Sequence, residues 1–434
     1  MNLSKRHLAI GAAFVSALIV TGLGIAAWIV YEPALSEIAR PSPSSFDRGL
    51  VAKGEQLATV GDCIVCHTAP NGAPFAGARA LPTPFGTLFS DNITPDEKTG
   101  IGAWSLPAFS RAMRQGVARD GSHLYPALPY EHFTHVSDDD LEAIYAFLMT
   151  RQPVSQPAPE NQLLPGLGFR PLLAGWKLLF LQQTAFEPQA NESAEWNRGK
   201  YLADGLAHCG GCHTPRNLAG GEERGREFAG GVAEGWNAPA LDETNPSAAS
   251  WNADSLFAYL KTGSDRGHSA AGGPMGPVAE GLSRLNDADV RAIAVYIASQ
   301  MHPAREASPS VAAVETASDN RSTAAATHPE ADLLFEGACS GCHAPRAPMN
   351  IIGRPLLSTA SDLRADDPRN AVQTLLQGIV PPGEKGAYMP SFSSSMTDRQ
   401  LTDLLAYARA RFTDKPAWPN LEATVGDIRK ENAQ

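Results

Sequence analysis

The fold of this 434-residue chain is decided by the stretch Cys63-Ile-Val-Cys66-His67 and its two repeats, Cys209-Gly-Gly-Cys212-His213 and Cys339-Ser-Gly-Cys342-His343. In each copy, two cysteines three positions apart are followed directly by a histidine. The chain contains six cysteines, so the three copies use all of them. The copies begin 146 and 130 residues apart, which indicates a tandem array of similar domains.

This pattern predicts covalently bound haem c. Two cysteines at this spacing can each form a thioether with one vinyl group of the same porphyrin, and the next histidine is then held beneath the iron as proximal ligand. A zinc site would need a fourth ligand that no remaining cysteine can supply, and a thioredoxin-like pair would need a βαβ setting that the sequence lacks. Structural disulfides would not require a histidine after every pair. We therefore predict three haem c groups, with thioethers from Cys63, Cys66, Cys209, Cys212, Cys339 and Cys342 and proximal iron ligands His67, His213 and His343.

Methionine sulfur is the usual second axial ligand beside histidine in electron-transfer cytochromes c. Met389 precedes the predicted helix start at Thr397 by eight residues, and Met275 precedes that at Asn286 by eleven. Both methionines stand in turn-forming sequence between a haem motif and a closing helix. They are the predicted distal ligands of the third and second haems.

The first repeat departs from this pattern. Leu128 lies 61 residues after His67, whereas Met275 lies 62 residues after His213, so a leucine occupies the methionine position. Leucine cannot bind iron, and His132, four residues further on, is the predicted distal ligand of the first haem. The alternative is a five-coordinate first haem covered by Leu128, which would permit a haem enzyme or sensor.

Each repeat is predicted to begin with a short helix before its first cysteine and to end with a longer helix. The closing helices have N-cap residues Ser137, Asn286 and Thr397 and, ten positions later, the aromatics Phe147, Tyr296 and Tyr407. We expect these aromatics to pack against the opening helix of the same repeat. The predicted fold class is all-α, with three tandem cytochrome c domains (46–152, 193–302 and 329–413) after an N-terminal transmembrane helix.

The predicted membrane anchor occupies residues 1–35. Its apolar run from Leu8 to Val30 would be about 34 Å long as a helix, enough for a hydrocarbon core of about 30 Å. A cleaved signal peptide is the alternative. Because Lys5 and Arg6 precede the run, we expect a location at the inner membrane with the haem domains in the periplasm.

Two linkers and a tail complete the predicted organisation. The linker 153–192 carries an apolar segment from Phe169 to Leu181, too short to span a bilayer. This segment is expected on the membrane surface, against a partner subunit, or packed across the haem domains. The linker 303–328 is rich in Ala and Ser and is expected to be flexible, and 414–434 form a tail. The net charge of −11 argues against nucleic-acid binding.

Further motifs show a resemblance to a known family. The chain contains Leu81-Pro-Thr-Pro-Phe-Gly-Thr87, Asn92-Ile-Thr-Pro95 and Leu124-Tyr-Pro-Ala-Leu-Pro-Tyr130 beside its haem motifs. In this order it resembles the three-haem cytochrome subunits of bacterial membrane-bound dehydrogenases, from about Phe46 to Phe412. That resemblance implies an electron-transfer subunit, not an enzyme on its own, which passes electrons from a catalytic dehydrogenase to a membrane quinone or a terminal oxidase.

The same resemblance distinguishes two branches of the family, which serve different classes of catalytic enzyme. The alcohol-oxidising quinoprotein branch carries methionine at the Leu128 position, and its catalytic partner is the alternative here. A branch that serves molybdenum hydroxylases, which oxidise nicotinate, isoquinoline or aldehydes, is similar in having a bulky apolar residue there, a following histidine and a linker like Arg170 to Trp176. The resemblance therefore favours molybdopterin and iron–sulfur subunits as partners, with membrane lipid nearby.

Overall fold

The structure is a computed structural model that describes residues 27–247, 250–301, 319–344, 354–384 and 388–433. It also describes the separate positions 7, 13, 14, 16, 18, 20–22, 24, 347 and 349. The chain divides into two compact units, one of residues 1–55 and 66–186 and the other of 56–65 and 187–434. The boundaries of the three predicted domains remain predictions.

The elements up to residue 186 are mostly short helices joined by long loops. The helices are α1 (Arg48–Val60), α2 (Cys63–Cys66), α3 (Leu106–Gln115), α4 (Tyr130–Phe133), α5 (Asp138–Met149) and α6 (Leu172–Phe180), with a 3₁₀ turn at Pro43–Ser45. The strands β1 (Ala80–Thr83), β2 (Gly86–Phe89) and β3 (Gln162–Leu163) form one antiparallel sheet in that order. Pairs such as Leu81 with Leu88 set the β1–β2 register.

The elements after residue 186 are again mostly helices. The helices are α7 (Ala194–Lys200), α8 (Gly210–His213), α9 (Ala253–Thr262), α10 (Met275–Ser283), α11 (Asp287–Gln300), α12 (Arg321–Thr327), α13 (Pro329–Ala338), α14 (Ser340–His343), α15 (Ser361–Arg364), α16 (Arg369–Gln377), α17 (Asp398–Phe412) and α18 (Leu421–Glu431). A π-helical turn, Tyr201–Leu206, continues α7, and a 3₁₀ turn lies at Pro382–Glu384. Strands β4 (Gly231–Ala233) and β5 (Trp236–Ala238) form a hairpin.

The opening and closing helices pack through a glycine in the first two repeats. A Cβ atom on Gly54 would lie 1.9 Å from the carbonyl oxygen of Ala143, and one on Gly199 would lie 1.9 Å from that of Ala292. Glycine lets two helix backbones approach this closely because it has no side chain. The same two glycines face the Cβ atoms of Phe147 and Tyr296, so the predicted aromatic contact between opening and closing helices is confirmed.

The π-helical turn preserves this contact in the second repeat. Gly54 precedes Cys63 by nine residues, whereas Gly199 precedes Cys209 by ten. A π-helical turn accommodates one extra residue within a helix. The turn at Tyr201–Leu206 lies between Gly199 and Cys209 and therefore absorbs the insertion.

The predicted starts of the three closing helices are confirmed. The side chains of Ser137, Asn286 and Thr397 accept hydrogen bonds from the backbone amides of Asp140, Asp289 and Gln400. Each bond satisfies an amide that has no partner within the helix. At Thr397 the Gln400 side chain also accepts from the Thr397 amide, which completes a capping box.

The third repeat has a hydrophobic core of its own. Phe335 of α13 stacks at a tilt on Tyr407 of α17, with ring centroids 5.5 Å apart. The nearly fully buried Arg411 pairs with Asp319 at 2.8 Å, which fixes the start of α12 onto this core. Within the predicted tail, Val425 and Ile428 of α18 are also buried in it. Of the predicted flexible linker, residues 303–318 lie outside the described residues, and 321–327 form α12.

The predicted fold class is corrected. The helices are accompanied by short strands, β1–β3 and the β4–β5 hairpin, that were not predicted. The predicted transmembrane helix is also wrong: in the part of the chain that the structure describes, no helix has both the length and the apolar character needed to cross a membrane. Many of the residues from Leu8 to Val30 lie outside the described ones.

Candidate haem sites

The histidines of the first two motifs are held in the same way by distant backbone. The Nδ1 atom of His67 lies 2.6 Å from the carbonyl oxygen of Asp91, and that of His213 lies 2.6 Å from the carbonyl oxygen of Pro239. A carbonyl accepts only from a protonated nitrogen, so Nδ1 carries the proton and Nε2 keeps its lone pair. This is the orientation of a metal-binding histidine whose second nitrogen is fixed by a backbone acceptor.

The electrostatics of these two imidazoles favour the neutral form. Burial lowers the pKa of His67, although the hydrogen bond to Asp91 acts in the opposite direction. Burial likewise lowers the pKa of His213. Iron is bound by neutral imidazole, so both histidines fit the predicted role of proximal ligand.

The chain after each of these histidines follows one course. The carbonyl of His67 accepts from the Gly77 amide and that of His213 from the Gly230 amide, both at 2.8 Å. In the next residue of each motif, a threonine Oγ1 accepts from a phenylalanine amide at 3.1 Å: Thr68 from Phe75, and Thr214 from Phe228. Both phenylalanines have a positive φ. Two motifs 146 residues apart thus build matching loops, which fits two copies of the same bound group.

The third motif is described only up to its histidine and a few residues beyond. Helix α14 carries His343, whose Nδ1 atom is buried without a hydrogen-bond partner among the described residues. Burial, aided by the positive charge of Arg354, lowers the pKa of His343 to about 4. Its imidazole is therefore neutral at pH 7, as an iron ligand requires.

Three of the six cysteines favour the thiol form over the thiolate. Burial raises the pKa of Cys209 to about 12 and that of Cys339 to about 11, and it also raises the pKa of Cys212. Thiolates are the reactive and zinc-binding form of cysteine, and apolar burial disfavours them. Among the described residues no group of three His, Cys, Asp or Glu side chains is placed to hold a metal ion. The raised pKa values of these three cysteines disfavour zinc binding, which requires thiolates.

Leu128 and Met275 occupy equivalent positions in two similar turns. The amide of Leu128 donates to the Tyr125 carbonyl at 3.1 Å, and that of Met275 donates to the Gly272 carbonyl at 3.2 Å. A short helix follows each residue, α4 after Leu128 and α10 from Met275 onward. The proposed equivalence of these positions thus has a counterpart in the backbone.

Met389 occupies a different backbone setting. It forms an isolated antiparallel bridge with Ile379, with both hydrogen bonds at 2.9 Å, and its half-buried side chain packs against the core of the third repeat. The other methionines of this repeat are poorer ligand candidates: Met396 is buried in that core and Met349 is mostly exposed.

Three histidines flank Leu128. His132 is buried within α4, four residues beyond the methionine position. His123 is also buried, but its Nε2 atom lies 2.9 Å from the carbonyl oxygen of Val30. His135 is half-buried, with Nδ1 3.5 Å from the Thr184 hydroxyl. The Nδ1 atom of His123 is buried without a hydrogen-bond partner among the described residues. The sequence-based choice of His132 as distal ligand therefore stays a prediction.

Two features around Met275 were missed by the sequence reasoning. Cβ atoms on Gly272 and Gly273 would lie within 3 Å of the Trp236 ring, so this ring supports the turn that leads to Met275. On the same loop, the buried His268 stacks on Trp251 at 3.6 Å. Both tryptophans lie far from Met275 in sequence, and only their size could have marked them as loop supports.

Comparison with known proteins defines the class first. A family profile described as Cytochrome c matches residues 51–152 and 197–300, which contain the first two motifs and their closing helices. This supports two cytochrome c regions where three were predicted, so the fold class is corrected on this point too. Cytochrome c domains carry covalently bound haem c.

Similarity to whole proteins narrows the class to a family. The chain is 44% identical to a subunit of nicotinate dehydrogenase from Pseudomonas putida over 93% of its own length, but it spans only 34% of that protein. It is 32% identical to the fructose dehydrogenase cytochrome subunit of Gluconobacter japonicus, covering 91% of this chain and 85% of that one. It is 33% identical to the gluconate 2-dehydrogenase cytochrome c subunit of Pantoea cypripedii, covering 88% and 90%.

The chain therefore belongs to the family of cytochrome c subunits of dehydrogenases, as its motifs predicted. Its function is electron transfer within an oxidoreductase complex, and the catalytic reaction belongs to another subunit.

Proposed function

We propose that this subunit carries three haem c groups, one at each motif. The observation that carries the proposal is the shared geometry of His67 and His213, whose Nδ1 atoms each meet a backbone carbonyl at 2.6 Å. The third motif repeats the Cys-x-x-Cys-His spacing, and its His343 has a buried Nδ1 atom and a pKa lowered to about 4. Thioethers would form at Cys63, Cys66, Cys209, Cys212, Cys339 and Cys342, with His67, His213 and His343 as proximal ligands.

Haem supplies one-electron oxidation and reduction when bound. The chain's own residues orient the proximal imidazoles, cover the haem from water and hold the distal ligands. Met275 and Met389 are the distal ligands that we propose for the second and third haems, and His132 for the first. A histidine in place of methionine would give the first haem the lowest reduction potential of the three.

The catalytic partner that we propose is a molybdenum hydroxylase with molybdopterin and iron–sulfur subunits. Supporting it, the identity to the nicotinate dehydrogenase protein is 44%, against 32–33% to the fructose and gluconate dehydrogenase subunits. The leucine at 128 and the histidine at 132 agree with this branch. A quinoprotein alcohol or sugar dehydrogenase is the second candidate. It is supported by the fructose and gluconate dehydrogenase subunits and by further relatives named as cytochrome c subunits of alcohol dehydrogenase (quinone).

We further propose that electrons leave toward a membrane quinone or a terminal oxidase, and that the haem domains lie on the periplasmic side of the inner membrane. Covalent attachment of haem c takes place outside the bacterial cytoplasm, which supports this location.

Co-purification tests the partner proposal. Affinity-tagged chain is isolated from membranes solubilised in mild detergent, and the proteins bound to it are identified by mass spectrometry and by metal analysis. Molybdenum and iron–sulfur clusters in stoichiometric amount are expected. A quinoprotein in their place would overturn the choice of branch but leave the electron-transfer function intact.

An open site on the first haem is the remaining alternative, because leucine at 128 offers no ligand. Carbon monoxide added to the reduced protein distinguishes the two cases. Three six-coordinate haems should resist it, whereas stoichiometric binding to one haem would show a five-coordinate first haem.

A further inference from the structure

Helix α6 and the residues before it present an outward face without a polar side chain. Phe169, Leu172, Leu178 and Leu179 are each between 56% and 67% exposed. The exposed Gly175 lies among them, and the spacing of three or four residues puts the set on one side of the helix. We call these five residues the α6 outer face. Large apolar side chains clustered in this way mark a surface that another apolar surface covers.

The orientation of α6 is fixed on its inner side by two positively charged side chains that bind backbone carbonyls. The Nζ atom of Lys177 donates to the carbonyls of Gln115 at 2.9 Å and Gly116 at 3.2 Å. Arg170 donates to the carbonyl of His123 at 2.9 Å. Both positive charges of the segment therefore point toward the protein, which leaves the outer face uncharged.

The N-terminal apolar run joins the protein beside this helix. The carbonyl of His123 accepts from Arg170. The Nε2 atom of His123 lies 2.9 Å from the carbonyl oxygen of Val30. Val30 is the last residue of the apolar run. On either side of it, Trp28 is 81% exposed and Tyr31 is 74% exposed. His123 thus links the segment that carries the α6 outer face to Val30, at the end of the apolar run.

We propose that the α6 outer face lies on a lipid bilayer, with its side chains in the boundary between headgroups and acyl chains. Interfaces between proteins carry about one hydrogen bond per 100–200 Å². The outer face offers no side-chain group for such bonds, and an acyl-chain boundary requires none. Trp and Tyr favour the headgroup level of a membrane, which suits Trp28 and Tyr31. This surface is separate from the haem motifs and does not depend on the proposed haem count.

A nitroxide label at Leu179 tests the proposal in the full-length haem-loaded protein. Leu179→Cys is labelled, and the matched control is Leu218→Cys, whose leucine is fully exposed and stands outside the α6 outer face. The unsubstituted chain reports any labelling of native cysteines. Vesicles of phosphatidylethanolamine and phosphatidylglycerol are then added, and label accessibility to oxygen and to a water-soluble nickel complex is measured.

With vesicles, access of nickel to the Leu179 label should fall severalfold while access of oxygen rises, and the Leu218 label should not change. A second label at Leu172 should return to water when Leu178→Asp and Leu179→Asp are introduced together, but not when Leu218→Asp and Leu333→Asp are. A Leu179 label that stays open to nickel on vesicle-bound protein would overturn the proposal. Protection that requires the catalytic subunit and no lipid would also overturn it, in favour of a protein partner.

Discussion

The backbone amides of Leu128 and Met275 make the same hydrogen bond, each to the carbonyl three residues earlier, at 3.1 and 3.2 Å. Each residue also stands five positions after an antiparallel bridge residue, His123 in one case and Ala270 in the other. The two loops therefore share these backbone contacts and differ in the side chain at this position. We expect this difference, leucine against methionine, to distinguish the two proposed haem sites.

Replacing Leu128 with methionine should convert the first site to the ligand set of the second. In Leu128→Met combined with His132→Ala, the lowest of the three midpoint potentials should rise, because methionine opposite histidine favours ferrous iron. Potentiometric titration followed by visible spectroscopy measures it. Leu124→Met, in the same loop but four residues earlier, should leave all potentials in place, and three unchanged potentials in the double variant would contradict the assignment.

His132→Ala alone should leave one haem with an empty or water-filled distal position. The expected result is one high-spin ferric signal among three haems in electron paramagnetic resonance at low temperature. His135→Ala is the matched control, because His135 lies three residues away on the same short stretch. A high-spin signal from the control variant and none from His132→Ala would show that the ligand had been chosen wrongly.

Local sequence predicted the parts of the sites that depend on neighbouring residues. The motifs, the N-caps at Ser137, Asn286 and Thr397, and the aromatic ten residues after each cap all follow from short-range spacing. The carbonyls that orient the histidines lie 24 residues beyond His67 and 26 beyond His213, at the ends of loops. Any backbone carbonyl can accept, so sequence holds no mark of which one does.

The strands were missed for a related reason. Strand β1 contains Pro82, and β4 and β5 have only three residues each. None of the three therefore shows a clear alternation of apolar and polar residues. Hydrophobic length alone led to the transmembrane helix prediction, which the described helices do not support. The alignment of α7 with the opening helix of the first repeat could not be predicted from the sequence either, because a π-helical turn absorbs the extra residue before Cys209.

Gly54→Ala and Gly199→Ala should each destabilise the protein by at least about 1–3 kcal/mol, since the added methyl would overlap a helix carbonyl. Thermal unfolding followed by circular dichroism measures the change. Gly337→Ala is the control: nothing lies within 4 Å of its Cβ position in α13, so alanine should stabilise by up to about 1 kcal/mol. Equal effects at all three glycines would contradict the close helix contact.

Asp62 should make the haem potential depend on pH. It precedes Cys63 directly, and burial raises the pKa of its carboxyl to about 7. The carboxyl is neutral below that pH and negative above it, and negative charge favours ferric iron. Asp62 precedes the first motif and its charge also acts on Cys209 of the second. The midpoint potential of a haem at either motif should therefore fall as pH rises through about 7, by at most about 59 mV per pH unit.

Asp62→Asn should flatten this slope between pH 6 and 8 (about one unit either side of the pKa). Asp96→Asn serves as control: the hydrogen bond from the Thr99 amide lowers the pKa of Asp96, so that carboxylate stays ionised across the range. A slope that persists in Asp62→Asn would assign the proton to another group.

The central claim, that all three motifs bind haem, is tested most directly by the intact mass of the denatured full-length protein. We predict a mass increase of three covalently attached haems, and loss of one haem in the paired variant Cys339→Ala and Cys342→Ala. An increase of only two haems in the native chain, unchanged in that variant, would contradict it.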